Sequence, residues 1–276
     1  MEGQIIKILS NLYTVSSDNQ LYECHARGKF RNDKITPTVG DYVEFDPKEL
    51  YILKILPRRN TLDRPLVSNI DQAIIVTSCK EPYFSSNLLD KLLVVLEYHD
   101  IDPIICLTKI DLLTKEEKEE IDEIRKYYSY IGYNVLDNTE LEELKKLLNH
   151  KTTVLTGQTG AGKSSLINKL NPDFNLATGE ISKALGRGKH TTRHVELIEM
   201  FGGKVLDTPG FSSIDLKEMT ECDIRDSFIE FEEYECPFRD CMHIKEKECA
   251  VIDAVNNNEI LESRYENYKK FVLTRR

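Results

Sequence analysis

Residues 152–170 read TTVLTGQTGAGKSSLINKL, and this stretch decides the fold. TTVLT is typical of a buried strand, and KSSLINKL of the start of a helix. Between them, GQTGAGKS has the spacing GxxxxGK[ST]. In that motif glycines let backbone N–H groups face phosphate oxygens, lysine neutralises the β- and γ-phosphates, and serine binds Mg²⁺. The stretch predicts a nucleoside triphosphate site formed by Gly157, Gln158, Thr159, Gly160, Ala161, Gly162, Lys163 and Ser164.

A second motif, Thr108-Lys109-Ile110-Asp111, follows the apolar run DPIICL and has the form [NT]KxD. A carboxylate at this position accepts two N–H bonds from guanine, a pair of donors that adenine lacks, so adenine is rejected. The alternatives are an ATPase, or a lysine and an aspartate that merely sit at a helix cap. We interpret Thr108, Lys109 and Asp111 as guanine-binding residues.

A third motif, DTPG at residues 207–210, follows the predicted strand GKVL. Here Asp207 is expected to hold Mg²⁺ through water, and the Gly210 N–H to sense the γ-phosphate. The upstream segment GRGKHTTRH, residues 186–194, supplies Thr192 to complete Mg²⁺ coordination, with Thr191 as the alternative. Its positive charge predicts contact with the phosphates of nucleotide or RNA, and a solvated loop is the other interpretation.

The order of these motifs is unusual. TKID precedes the phosphate loop, whereas in ordinary GTPases it follows DxxG, so the chain is a circular permutation of that domain. Phe211 follows DTPG where many GTPases carry the glutamine that orients the attacking water. Slow intrinsic hydrolysis is therefore expected. His190 is the nearest residue to position water, and the other interpretation is that it contacts only RNA or solvent.

The regions on either side of this domain differ from it. Residues 1–62 alternate apolar and polar residues in about five short runs, which predicts a small OB-fold barrel with a net charge of +1. Arg27, Lys29 and Arg31 lie near Tyr22 and Phe30, which indicates either an RNA-binding face or a solvated loop. Residues 215–276 have a net charge of −6 and end in a helical stretch around ILESRYENYKKFVL.

Cysteine spacing in the tail indicates a metal site. Cys236, Cys241, His243 and Cys249 supply three thiolates and an imidazole, a closed set for one structural Zn²⁺. Buried free cysteines or redox thiols are the alternatives. The remaining four cysteines, which are expected to pack in the core, are Cys24, Cys79, Cys106 and Cys222.

Composition excludes several classes of protein. With 40% hydrophobic and 30% charged residues, the chain can bury a core, so general disorder is excluded. Apolar runs such as residues 92–96 are far shorter than the roughly 20 residues that span a bilayer. Seven cysteines, an odd count, and an N-terminus without signal-peptide character indicate reduced thiols and a cytoplasmic location without a membrane partner. The net charge of −10 argues against a simple nucleic-acid coat protein.

With the permuted order, the barrel and the cysteine cluster together, the chain resembles the ribosome small-subunit-dependent GTPase A family of bacteria. The resemblance rests on YECHARGKFR, VGDYVEF, RRNTLDRP, TKIDLL, GQTGAGKSSLIN, GRGKHTTRH, DTPGF and CPFRDCMH, in that order. It implies an OB-fold over 1–62, a circularly permuted α/β P-loop GTPase domain over 63–214 and a mostly helical zinc-binding domain over 215–276. It extends the phosphate loop to Ser165 and makes His190 the catalytic histidine. Asp137-Asn138 stand where the family usually has Ser-Ala, and no guanine contact is assigned to them.

The resulting hypothesis is a monomeric GTPase that binds GTP or GDP, Mg²⁺, one Zn²⁺ and the small ribosomal subunit with its rRNA, and assists late maturation of that subunit. Arg27, Lys29 and Arg31 are its candidate rRNA-binding residues. The rival hypothesis is a GTP-gated binding protein with a non-ribosomal partner, in which hydrolysis is incidental.

Overall fold

The computed structural model describes residues 1–26, 30, 36–63, 66–172, 196–207 and 216–274. The described residues form two compact units. Unit 1 lies within Met1–Ile74, Thr139–Thr156 and Gly162–Phe211, and unit 2 within Ile75–Asn138, Gly157–Ala161 and Ser212–Arg276.

Unit 1 contains a five-stranded barrel. Its strands are β1 (Glu2–Leu9), β2 (Leu12–Ser17), β3 (Gln20–Ala26), β4 (Tyr42–Asp46) and β5 (Tyr51–Ile55). They pair in the order β1-β2-β3-β5-β4, and β4 pairs back to β1, which closes the barrel. Ile5, Val15, Phe45 and Ile52 are fully buried in its core. A Cβ on Gly3 would lie 2.6 Å from a methyl group of Val15, so only glycine permits this approach of β1 to β2. The OB-like barrel predicted from the alternating pattern is confirmed.

Unit 1 also holds part of the α/β region. Its elements are β11 (Thr152–Thr156), β12 (Glu196–Met200), β13 (Gly203–Asp207), α3 (Leu141–Leu148) and α4 (Lys163–Leu170). β11 is parallel to β13, and β12 and β13 form an antiparallel hairpin. Lys7 of β1 pairs with Glu196 of β12, so the barrel and the hairpin share one sheet. A separate hairpin is formed by β6 (Thr61–Asp63) and β7 (Leu66–Ser68).

Unit 2 contains the other strands and two long helices. They are β8 (Gln72–Ser78), of which residues 75–78 belong to this unit, β9 (Asp102–Thr108), β10 (Asn134–Asp137), α1 (Ser86–Tyr98) and α2 (Lys115–Tyr130). β10 is parallel to β9, which lies next to β8. Both helices begin where the sequence supplies a capping side chain, Ser85 for α1 and Thr114 with Glu117 for α2. These elements confirm the strand–helix alternation.

The C-terminal part of unit 2 forms α5 (Glu221–Asp226), a short 3₁₀ helix (Ile229–Glu233), α6 (Ala250–Asn256) and α7 (Glu262–Leu273). Phe228, Tyr268 and Val272 are fully buried in its core. Cys24, Cys79 and Cys106 are buried as expected. The expectation for Cys222 is wrong, because it lies on the exposed side of α5. Among the described helices, none combines the length and apolar character needed to cross a membrane.

A buried charge cluster connects α1 to the C-terminal elements within unit 2. The Arg264 guanidinium, 0% exposed, donates to Asp90 of α1 at 2.7 Å and to both carboxylate oxygens of Glu230. Tyr128 and Asn267 also donate to Asp90, at 2.5 Å and 2.7 Å. Burial raises the pKa of Asp90, and the positive charge of Arg264 opposes that shift. Every charge in this cluster therefore has a partner, as low-dielectric surroundings require.

Candidate functional site

The phosphate loop has the backbone that its glycines predict. Gly157, Gly160 and Gly162 have φ values of 128°, 81° and 98°, in the left-handed region that favours glycine. A Cβ on Gly157 would lie 2.1 Å from the Val76 carbonyl oxygen, so the first residue of the loop is in direct contact with the backbone of β8 and must be glycine. Gly162 then caps α4, and its carbonyl oxygen accepts the Leu166 N–H at 2.9 Å. The loop therefore delivers a helix N-terminus where an anion binds favourably.

The side chains of the loop differ in exposure. Ala161 is fully buried, whereas Thr159, Ser164 and Ser165 are exposed, the two serines in the first turn of α4. Lys163 is half-buried, and burial lowers its pKa below the ordinary value. A partly desolvated ammonium at a helix N-terminus is stabilised by an incoming phosphate.

The TKID motif lies against this loop within unit 2. Thr108 ends β9, is buried, and donates its hydroxyl to the Ala161 carbonyl oxygen at 2.6 Å. Lys109 has a left-handed backbone with φ 58°, and its ammonium donates to the Glu81 carbonyl oxygen. Asp111 follows with an exposed side chain, in a 3₁₀ turn. Within unit 2, the structure therefore places the TKID motif against residues 157–161 of the predicted phosphate loop.

The loop after β8 is a part of this site that sequence reasoning missed. It supplies the Glu81 carbonyl to Lys109, and Pro82 packs near Gly160, where a Cβ would be 3.6 Å from its ring. Lys80 anchors the loop to α2 through Glu117 at 2.7 Å. Glu81 makes this contact with its main-chain oxygen, which every residue type has. The sequence therefore does not reveal it.

The residues at the end of β10, Asp137 and Asn138, each make a contact that the structure describes. Asp137 is 9% exposed and its carboxylate accepts from Arg125 at 3.3 Å. The Asn138 N–H donates to the Leu107 carbonyl oxygen at 2.9 Å, which continues the strand pairing with β9. The carboxylate of Asp137 is thus engaged by α2.

Several predicted residues lie outside the described part of the chain. They are Arg27, Lys29, Arg31, His190, Thr191, Thr192, Gly210 and Phe211. Asp207 ends β13, where its backbone pairs with Glu196.

The predicted cysteine cluster is assembled in unit 2. The ligand atoms of Cys236, Cys241, His243 and Cys249 all lie within 4.8 Å of one another. The Cys249 sulfur is 3.7 Å from the Cys236 sulfur and 3.3 Å from His243 Nδ1. Zn–S bonds of about 2.3 Å in a tetrahedron place sulfurs roughly 3.8 Å apart. The four side chains therefore fit one tetrahedral metal ion with no open position.

A carboxylate fixes the loop between these ligands. Glu246 accepts backbone N–H groups from Met242, Ile244 and Lys245 at 3.2, 2.8 and 2.9 Å. Burial acts to raise the pKa of Glu246, but these N–H groups outweigh it and hold the pKa at about 2. Tyr265 holds the same loop by donating to the His243 carbonyl oxygen at 2.7 Å. In the sequence HIKEKEC, Glu246 looks like one of several solvated charges, so its role was missed.

The sequence pattern of the RsgA GTPase family matches residues 55–217, and that of the RsgA N-terminal domain matches residues 2–50. The chain belongs to the RsgA GTPase family. A protein of Enterococcus faecalis named small ribosomal subunit biogenesis GTPase RsgA is 50% identical to it over 281 residues, 99% of this chain and 95% of the relative.

Two solved structures are similar to this RsgA-family chain over almost its whole length. YloQ, described as a circularly permuted GTPase, is 40% identical with a TM-score of 0.84, covering 99% of this chain and 94% of that one. YjeQ from Thermotoga maritima is 35% identical with a TM-score of 0.87, covering 99% and 98%. The predicted fold is confirmed: an OB-like barrel, a circularly permuted GTPase domain and a C-terminal Cys₃His segment.

Proposed function

We propose that this chain is a GTP hydrolase that binds the small ribosomal subunit and assists its late maturation in the cytoplasm as a monomer. The observation that carries the catalytic part is the hydrogen bond from Thr108 to the Ala161 carbonyl oxygen, because it joins base reading to phosphate binding. The named relative, 50% identical over 99% of the chain, supports the choice of partner.

The site divides the work among its residues. Asp111 accepts the guanine N–H groups. Thr108 holds the motif against the phosphate loop, and Lys109 holds it against the loop after β8. The phosphates rest on residues 157–165, with Lys163 as counter-charge. Mg²⁺ bound with GTP would supply positive charge that offsets the charge of the phosphates. Ser164 and Thr192 are its proposed ligands, Asp207 is proposed to hold it through water, and the Gly210 N–H is proposed to sense the γ-phosphate.

Hydrolysis transfers the γ-phosphoryl group to water. The water oxygen attacks the γ-phosphorus, the bond to the β–γ bridging oxygen breaks, and GDP and inorganic phosphate leave with one proton released. His190 is proposed to orient that water, because Phe211 has no hydrogen-bonding atom in its side chain. The subunit is proposed to complete this arrangement.

The proposal gives the other parts supporting roles. One structural Zn²⁺ on the Cys₃His cluster stabilises the tail. Three domains, 1–62, 63–214 and 215–276, are the proposed division, and Arg27, Lys29 and Arg31 the proposed rRNA contacts of the first.

Ribosomal pelleting tests the choice of partner. Purified small subunits are sedimented with the protein in GDP or in a non-hydrolysable GTP analogue, and we expect much more protein in the pellet with the analogue. Equal amounts of protein in the pellet with GDP and with the analogue would contradict the proposed coupling between hydrolysis and release. Absence from both pellets would favour the rival, a GTP-gated protein with a non-ribosomal partner.

A further inference from the structure

A pocket with a volume of about 450 Å³ lies within unit 1, apart from the phosphate loop. Three regions of the chain line it: barrel strands β1 and β4 through Gln4 and Tyr42, the connection into β11 at residues 150–152, and the β12–β13 hairpin at residues 199–204. The pocket adjoins the first residue of β11, whereas the phosphate loop follows its last residue. Five extended residues span about 16 Å, so the two sites are separate.

Lys204 brings a positive charge to the wall of this pocket. Its side chain is half-buried, and its ammonium donates to the Gln4 side-chain oxygen at 2.6 Å. Among the described residues, no carboxylate forms an ion pair with it, although Glu199 is its cross-strand neighbour. Burial lowers the pKa of Lys204, and the negative charge of Glu199 opposes that shift without reversing it. The neutral amide of Gln4 and the exposed carboxylate of Glu199 compensate the charge of this partly buried ammonium only in part, so an anion is favoured here.

The lining carries two cations, Lys151 and Lys204, and two carboxylates, Asp71 and Glu199. Asp71 is already engaged, since it accepts the Thr152 N–H at 2.6 Å and Arg59 at 2.8 Å. Lys151 adds a second cation to the lining. Glu199 is exposed, so water screens its charge.

Two aromatic side chains of the lining are open to solvent. Tyr42 is 47% exposed, and Phe201, in the turn of the β12–β13 hairpin, is 37% exposed with the Lys145 ammonium 5.4 Å from the centre of its ring. Exposed rings beside cations provide what a nucleotide needs, a surface for its base and a counter-charge for its phosphate. Pockets of this size hold ligands of that class.

We propose that this pocket binds a nucleotide, with its phosphate on Lys204 and Lys151 and its base against Tyr42 or Phe201. The same chemistry is offered by a free nucleotide and by one nucleotide of an RNA strand. The site does not depend on the proposed GTPase function, because no residue of the GTP site lines it.

Fluorescence anisotropy of a labelled, 5′-phosphorylated adenylate tetranucleotide tests the proposal, with the full chain saturated with GDP. We expect Lys204→Gln, which keeps a hydrogen-bonding side chain, to weaken binding about tenfold, as loss of a charged hydrogen bond predicts. It should also reduce the salt slope by about one. Tyr42→Ser should weaken binding while keeping Lys204. The matched control is Lys54→Gln, a 63%-exposed cation of β5 outside the pocket, which should change nothing.

Competition by AMP distinguishes the sources. If AMP displaces the labelled tetranucleotide at about the same concentration as unlabelled tetranucleotide does, the ligand is a free nucleotide. If only unlabelled tetranucleotide displaces it, the ligand is RNA. Thermal unfolding of each variant verifies that it is folded. The proposal is overturned when the tetranucleotide does not bind at low salt, or when Lys204→Gln and Tyr42→Ser both leave its affinity unchanged.

Discussion

The Thr108 side chain does two things at the end of β9. It is buried within the α/β region, and its hydroxyl donates to the Ala161 carbonyl oxygen at 2.6 Å. This short hydrogen bond ties the TKID motif to its position at the phosphate loop, and a longer contact of the same hydroxyl reaches the Thr77 carbonyl oxygen at 3.3 Å. Asp111 lies three residues later and depends on that position to meet a guanine base.

Thr108→Val tests this link, because valine keeps the shape and removes the donor. The buried Ala161 carbonyl loses its partner, at a cost of about 1–3 kcal/mol. We expect GDP affinity, measured with a fluorescent analogue, to fall about tenfold. The control is Thr153→Val, a buried threonine of β11 that accepts from Gln72 at 2.9 Å, which should leave GDP affinity unchanged. Equal effects of the two variants would contradict the role of Thr108.

Glu246→Gln tests the loop that carries the metal ligands. In the unchanged protein, three backbone N–H groups share the two carboxylate oxygens of Glu246, whereas glutamine offers them one acceptor oxygen. Because the loop that carries the metal ligands is then held less firmly, Zn²⁺ affinity should fall about tenfold. Competition with a chelator measures that affinity. The pKa of Glu246 lies at about 2, so its contribution is complete above its ordinary value of 4.5 and is lost only as pH falls toward 2. The ratio of the Zn²⁺ affinity of the unchanged protein to that of Glu246→Gln should therefore be the same at pH 7 and pH 6. A smaller ratio at pH 6 would count against this account.

At the scale of elements, α1 and α7 are joined by the cluster of Arg264, Asp90 and Glu230. Arg264 lies over the ring of Phe228 at 4.6 Å and has no exposed surface. In ESRYENYKK this arginine resembles a solvated charge of an amphipathic helix. Its partner Asp90 is 174 residues away along the chain, so periodicity predicted the helix and not the ion pair.

Arg264→Met should lower the free energy of unfolding by about 3–5 kcal/mol, because two buried carboxylates lose their cation. Chemical denaturation followed by circular dichroism measures this change. Lys269→Met on the same helix is the control, since its ion pair with Glu266 is at the surface, with side chains 28% and 56% exposed, and such pairs contribute about 0–1 kcal/mol. Similar losses for the two variants would show that the buried charges do not hold these helices together.

At the scale of the whole molecule, the sequence predicted what depends on local order. Strands, helices, glycine positions of the phosphate loop and the motif order follow from neighbours along the chain, and the fold class is confirmed. Features made by distant segments were not predictable. The pocket around Lys204 and the Glu81 carbonyl against Lys109 each depend on backbone placement, which residue type does not encode. The expectation that Cys222 is buried was wrong, because the six-residue helix α5 has one exposed side and Cys222 lies on it, whatever the usual preference of cysteine for burial.

Steady-state GTP hydrolysis with and without purified small ribosomal subunits, at low and moderate salt, tests the central claim most directly. Completion of a GTPase site by a partner accelerates hydrolysis by up to about 10⁵-fold, and we predict stimulation of more than about tenfold. Added salt should reduce it, because contacts with rRNA phosphates release counterions. Lys163→Ala, which lacks the phosphate counter-charge, is the control that should stay inactive. A slow rate that subunits leave unchanged, in protein that binds GTP, would contradict the account.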